Sequence, residues 1–322
     1  MNTKLENIVK NTPLPVAGLA FAITGLGGLF IEFGQGAWAK PVFGFLGASL
    51  LIIVVIKALF LPKNLKANLQ NPVQAAVGTV IPFTFMMDAA YLSSSMPKTA
   101  SFMWLFALLA MFVYLAWFHY KYTLNFHIKE IFAAYFIPFV GFCLPVMTSH
   151  HLHIDWLPLQ TIRQVLFYLS IVGFLVTFVI ISVRYLKIPV DEVSARPIFA
   201  IYTAPLPMLL VSYVRLIPHE QQYAPLVLVT LILSQLVFVV VLSQLPSYFK
   251  NGFFPSYAAL TFPFIVTANG MFEGLRVLHA SPVWSYLAYA EGIFAIAMTL
   301  FVLVKYLLFF KKIANNPPQA AH

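Results

Sequence analysis

Apolar residues run along this chain in ten long blocks, separated by short polar stretches. The blocks fall at about 13–31, 41–62, 72–94, 99–119, 128–149, 157–183, 197–217, 223–246, 254–274 and 282–310. About 20 apolar residues suffice for a helix to cross a bilayer, so each block predicts one spanning helix. The separators leave no room for a soluble domain. Residues 1–322 therefore read as a single transmembrane domain with a short tail, 313–322. The blocks differ in texture. Blocks 157–183 and 223–246 are bulky and aliphatic throughout, as lipid-facing helices are. Blocks 72–94 and 254–274 carry small and polar residues, among them Ala75, Gly78, Thr79, Ala258, Ala259, Thr261 and Thr267. Small residues permit either close helix packing or an open lumen.

Prolines punctuate alternate blocks. Three of them repeat one phrase, a proline and then a second proline eight to ten residues later: Pro72 and Pro82, Pro197 and Pro205, Pro255 and Pro263. A fourth carries the inner proline alone, Pro138. A mid-helix proline removes a backbone hydrogen bond and kinks the helix, and in lipid the freed carbonyl must find protein or water. The inner prolines recur at intervals near 60 residues, the length of one helical hairpin. The expectation is an all-α integral membrane protein of ten helices, arranged as five hairpins in a quasi-five-fold ring, with odd helices inside around a pore and even helices outside. The first hairpin lacks the proline. Its equivalent place is near Phe21 to Thr24, where Gly18, Gly25, Gly27 and Gly28 could supply the flexibility instead.

Composition and charge agree with the membrane reading. The chain is 61% hydrophobic and 9% charged, where a soluble domain carries about 25% charged residues. A soluble enzyme or a nucleic-acid binder is excluded despite a net charge of +9. With ten spans, 14 of the 19 basic residues fall on the side of the termini and 5 on the other. Positive charge marks the cytoplasmic side, so both termini are expected inside the cell, in the plasma membrane. Lys4 and Lys10 precede the first block, which reads as a retained helix rather than a cleaved signal.

Few residues could carry chemistry. No catalytic or cofactor motif is present, and the chain reads as a non-enzyme without cofactors. The lone cysteine, Cys143, reads as a buried small hydrophobe. His150, His151, His153 and Asp155 read as a hydrated loop, so no metal site is expected. Intramembrane carboxylates are functional candidates by default. Asp88 and Glu291 could couple a proton to transport, although pairing with Lys98 or Arg276 is the preferred reading. The middles of the odd helices hold no lysine or arginine. An anion there would be held weakly, by helix dipoles and by hydroxyls such as Thr84, Thr203 and Thr261, which favours passage over tight binding. Phe83, Phe139, Phe262 and Phe264 stand beside the prolines, where a phenyl ring can plug or dewet a pore.

The order of Thr12-Pro13-Leu14-Pro15, Asn71-Pro72-Val73, Ile81-Pro82-Phe83, Ala204-Pro205 and Leu260-Thr261-Phe262-Pro263 resembles the tellurite-resistance/dicarboxylate transporter family, relatives of the plant slow anion channels. The resemblance spans essentially the whole chain. It implies a homotrimer with a pore in each protomer, and a pore-gating phenylalanine on the ninth helix. The Thr-Phe-Pro match puts that gate at Phe262, with Phe264 as a fallback. The expected function is passage of small inorganic or organic anions through a phenylalanine-gated pore. The alternative is a proton-coupled carrier for a malate-like C4-dicarboxylate, sulfite or tellurite.

Overall fold

The computed structural model describes residues 3–152, 154 and 156–315. Of the histidine-rich loop, His153 and Asp155 thus lie outside the described residues. So does the tail beyond Asn315, while residues 313–315 of the expected tail continue the last helix.

The described residues form helices and connecting turns. A short amphipathic helix α1 (Thr3–Asn11) precedes α2 (Pro15–Glu32) and α3 (Gly36–Phe60). After these come α4 (Pro62–Asn68), α5 (Pro72–Gly78), α6 (Val80–Leu92) and α7 (Pro97–Phe118), the last running into a single π-helical turn, His119–Thr123. The chain continues through α8 (Phe136–Val140), α9 (Cys143–Thr148), α10 (Leu159–Lys187), α11 (Pro205–Leu216), α12 (Ala224–Phe249), α13 (Phe262–Val277) and α14 (Pro282–Asn315). Among the described residues, eight stretches are long and apolar enough to cross a membrane, counting Pro72–Leu92 and Val193–Leu216 as single stretches. The two remaining apolar blocks are interrupted, at α8–α9 and at α13, each preceded by a 3₁₀ segment.

Burial separates the helices into two layers. The stretches Pro15–Glu32, Pro72–Leu92 and Val193–Leu216 are 67%, 61% and 67% buried, whereas the other five lie between 28% and 33%. The inner segments contact one another in a closed cycle: α2 on α6, α6 on α9, α9 on α11, α11 on α13, and α13 back on α2. Each also packs against its neighbour in sequence, as in the pairs α2–α3, α6–α7 and α13–α14. The outer helices turn bulky residues such as Phe45, Phe102, Val239 and Ile293 outward, as contact with lipid tails requires.

Pro205 and Pro263 begin helices rather than kink continuous ones, whereas Pro82 follows a one-residue interruption at Thr79, itself in α geometry, within the single stretch Pro72–Leu92. Pro205 is the first residue of α11, Pro263 the second of α13, and Pro82 and Pro138 the third of α6 and α8. In the first turn of a helix the N–H has no intrahelical partner, so proline's missing donor costs nothing there. Upstream of these starts the chain is often 3₁₀, over Val193–Thr203 and Pro255–Leu260. Each such segment gives way to an α-helix within a few residues of a proline, Pro205 or Pro263. The first hairpin differs again. Helix α2 is unbroken, and its glycines serve contacts rather than flexibility. A Cβ at Gly27 would meet the Tyr91 ring at 3.1 Å.

On the side of the termini, Lys57 is buried inside the end of α3. Its ammonium donates to the Thr12 carbonyl and, at 3.0 Å, to Asn68 Oδ1. This fastens the chain between α1 and α2 to the end of α4.

Candidate functional site

Two cavities lie within the cycle of inner segments. The one nearer the termini, about 90 Å³, is lined by residues of all five, including Gly18, Val77, Val140, Ile201 and Ala259. Among the described residues, Ser256 is its only lining residue with a polar side chain. The far cavity is larger, about 570 Å³, and more polar. Glu32, Lys40, His150, Arg215, Asn269, Glu273 and Arg276 line it. Among the described residues, only Leu144 and Phe262 line both.

The wall between the cavities is therefore built from large apolar side chains. The Phe262 ring, at the first turn of α13, stacks on Phe21 of α2 with centroids 4.0 Å apart. Phe21 in turn meets Phe83 of α6 at 6.1 Å. Both cradles that receive these rings are glycines. A Cβ at Gly25 would stand 3.2 Å from Phe262 Cδ2, and one at Gly141 would stand 2.3 Å from Phe83 Cζ. Three helices of eight residues or more, α6, α11 and α13, begin at this level. Their N-terminal dipole ends thus sit near the lumen, where negative charge is favoured.

Face periodicity sets the lumen-facing residues of α13. Phe262, Val266, Asn269, Glu273 and Arg276 are spaced by four, three, four and three residues, so they form one stripe, and all five line the far cavity. At its rim the charges interlock. Arg215 Nε and Nη2 donate to Glu273 Oε1 at 3.2 and 3.0 Å, and Nη1 donates to the Met147 carbonyl at 3.0 Å. Arg276 donates to Glu273 Oε2 at 3.1 Å and to Glu32 Oε2 at 2.6 Å. On the other flank of α2, the Tyr91 hydroxyl donates to the Thr24 carbonyl at 2.8 Å. A polar belt thus joins α6 to α2, α2 to α13, α13 to α11 and α11 to α9.

The other sequence candidates are distributed around this lumen. Phe83 lines the apolar cavity beside Pro205 and Pro263. Phe264 faces away, against Phe238 of α12 and Phe294 of α14, and Phe139 packs edge-on against His119. The hydroxyls of Thr84, Thr203 and Thr261 donate to the carbonyls of Val80, Ala200 and Ala258, within their own segments, and line neither cavity. Asp88 points at α3, where a Cβ on Gly44 would meet its Oδ1 at 2.9 Å. Glu291 accepts from Gln235 of α12 at 3.4 Å. The expected pairing of these two carboxylates with Lys98 or Arg276 does not occur, since among the described residues Arg276 binds Glu32 and Glu273 instead. The sequence reading also missed Phe21, although the repeat register pointed to its position, and it missed the belt. Of the belt, only the Glu273–Arg276 pair, three residues apart on one helix, carried a local signal.

Comparison with known families decides the assignment. Residues 15–307 match the family model described as a voltage-dependent anion channel, SLAC1. The chain belongs to this family. It is the family whose motifs the sequence resembles, and the match takes in every inner segment and the whole of the two-chambered lumen. No curated protein matches the chain. Family and fold together make it a multi-pass membrane protein of a kind consistent with anion transport.

Proposed function

We propose that the protein is a channel for small monovalent anions in the plasma membrane, occluded by Phe262. One observation carries the reading: Phe262 stands in the wall between two cavities that are lined by the same five segments, stacked on Phe21. An ion passing from one cavity to the other must displace that ring. Ten spans as five hairpins, with the interrupted blocks crossing at α8–α9 and α13, form one transport domain. The 14-to-5 split of basic residues over ten spans supports an orientation with the termini, and the apolar cavity, on the cytoplasmic side. The broad apolar outer faces suit lipid and the contacts of a homotrimer.

The apolar cavity bears on the substrate. It offers no charge and almost no hydroxyl, so an ion crossing it gives up hydration for helix dipoles alone. That cost rises steeply with charge, which favours nitrate or chloride over a doubly charged dicarboxylate. The proton-coupled carrier reading lacks a titratable group in this wall, because Asp88 and Glu291 line neither cavity.

The test is purified protein in planar bilayers under nitrate, chloride or malate gradients, wild type beside Phe262→Ala. Large anion currents in the variant that follow the electrochemical gradient support the channel. Saturable, pH-driven malate uptake by the wild type with no current in either form would replace it with the carrier.

A further inference from the structure

Among the residues that line the far cavity is a side-chain amide whose oxygen the protein leaves unpaired. Asn269 sits on the lumen stripe of α13, two turns beyond Phe262 and about one turn before Glu273. Its Oδ1 is buried without a hydrogen-bond partner. A side-chain amide presents either its oxygen or its NH₂ by a half-turn, and the NH₂ is a donor suited to an anion. The same cavity is lined by three cations, Lys40, Arg215 and Arg276, and by two carboxylates, Glu32 and Glu273. One positive charge is left over. Lys40 has no carboxylate partner among the described residues. Arg215 uses three of its five N–H donors, on Glu273 and Met147.

Glu273 has an unusual position in this set. It is 7% exposed and is shared between two guanidinium groups, one on each carboxylate oxygen. A resident carboxylate of this kind occupies the donors that an incoming anion would seek.

We infer that the far cavity holds a capture site for one small monovalent anion, formed by Asn269, Arg215 and Lys40, and that Glu273 is its built-in competitor. The site rests on the channel reading above, because it lies directly beyond Phe262 on the outer side. Glu273 keeps the cavity's net charge low, so an anion is gathered from solution but not retained. Conduction needs that balance between entry and release. Removing the Glu273 charge unmasks the two guanidinium groups, whereas a carboxylate at position 269 repels the ion.

The experiment uses the full-length protein and nitrate as the probe, with gluconate holding ionic strength constant. In the Phe262→Ala background, outer nitrate is titrated against current. Glu273→Gln lowers the half-saturating concentration about fivefold and Asn269→Asp raises it about fivefold, the scale of one partly screened charge at close range. Titration from the inner face changes far less. A second readout does not need conduction: the thermal stability of each detergent-purified single variant in nitrate against gluconate. Nitrate-specific stabilisation that grows in Glu273→Gln and vanishes in Asn269→Asp supports the site even if Phe262→Ala passes no current, in which case the failure belongs to the channel reading. Nitrate dependence unchanged in both variants by both readouts, or shifted equally from the two faces, overturns the site.

Discussion

The rings of Phe21 on α2 and Phe262 on α13 lie 4.0 Å apart, centroid to centroid, at an interplanar angle of 33°. They belong to the first and ninth apolar blocks, yet the contact between α2 and α13 closes the cycle of inner segments. The wall across the lumen is therefore a joint between distant parts of the chain, not a property of one residue. Displacing a buried phenyl ring costs roughly 1.5–3 kcal/mol, a scale that thermal motion reaches only in a minor population. Truncating Phe262 to alanine should raise single-channel conductance or open probability by about tenfold or more. Phe21→Ala should raise it less, because Phe262 still lines both cavities.

Gly25 tests the same joint from the other side. A methyl group there would press on the Phe262 ring at 3.2 Å, a contact closer than packed atoms usually adopt. Gly25→Ala should reduce the residual wild-type current and leave the Phe262→Ala current unchanged. Equal loss in both backgrounds would point to a general packing defect instead. The double-mutant cycle in bilayers distinguishes the two outcomes.

Charge selectivity should reflect the apolar cavity. Reversal potentials of Phe262→Ala under bi-ionic conditions should give nitrate and chloride permeabilities at least about tenfold above that of doubly charged malate, since desolvation dominates in a cavity that no cation lines. A malate permeability equal to that of chloride would show that the ion does not traverse this cavity.

Asp88→Asn and Glu291→Gln should keep anion currents within about twofold of their parent, because an isosteric amide preserves packing and changes far from a site seldom propagate. Both side chains sit between helices and line neither cavity. Abolished transport in Asp88→Asn, with normal expression, would return the proton-coupled carrier to consideration.

Gly47 gives a variant that acts on the scaffold alone. A Cβ at this position would fall 2.0 Å from Thr24 Oγ1 and 2.7 Å from the Ala20 carbonyl, so α2 and α3 would have to separate. Overpacking of this kind costs typically about 1–3 kcal/mol. Gly47→Ala should lower the apparent melting temperature of the purified protein while leaving the order of anion permeabilities intact.

Much of the architecture is legible in the chain because it is written in local chemistry. Length and hydropathy of a block report a spanning helix, since lipid cannot satisfy an open backbone. Texture separates the inner blocks from those with bulky outward faces such as Phe102 and Val239. The proline phrase marks where helical segments begin, although its meaning changes: Pro205 and Pro263 start helices rather than bend them, since a first-turn position needs no N–H. Phe262 is reachable from its neighbours Thr261 and Pro263, whereas Phe264, two residues on, turns toward Phe238 and Phe294. A displacement of two residues turns a helical side chain by more than half a turn, and sequence adjacency alone does not reveal which of the two faces the lumen.

By itself, then, the sequence determined an all-α membrane protein with proline-marked inner segments, through interactions between a residue and its near neighbours or its solvent. The tertiary structure alone decided which groups meet. Glu32 reaches Arg276 across 244 residues, and Arg215 and Glu273 lock α11 to α13. The hydroxyls of Thr84, Thr203 and Thr261 turn back into their own backbones. Asp88 and Glu291 are carried out of the lumen. The physical reason is that a side chain's direction depends on the rotation of its helix about its axis. That rotation is set by packing against every neighbour at once, and no single segment encodes it.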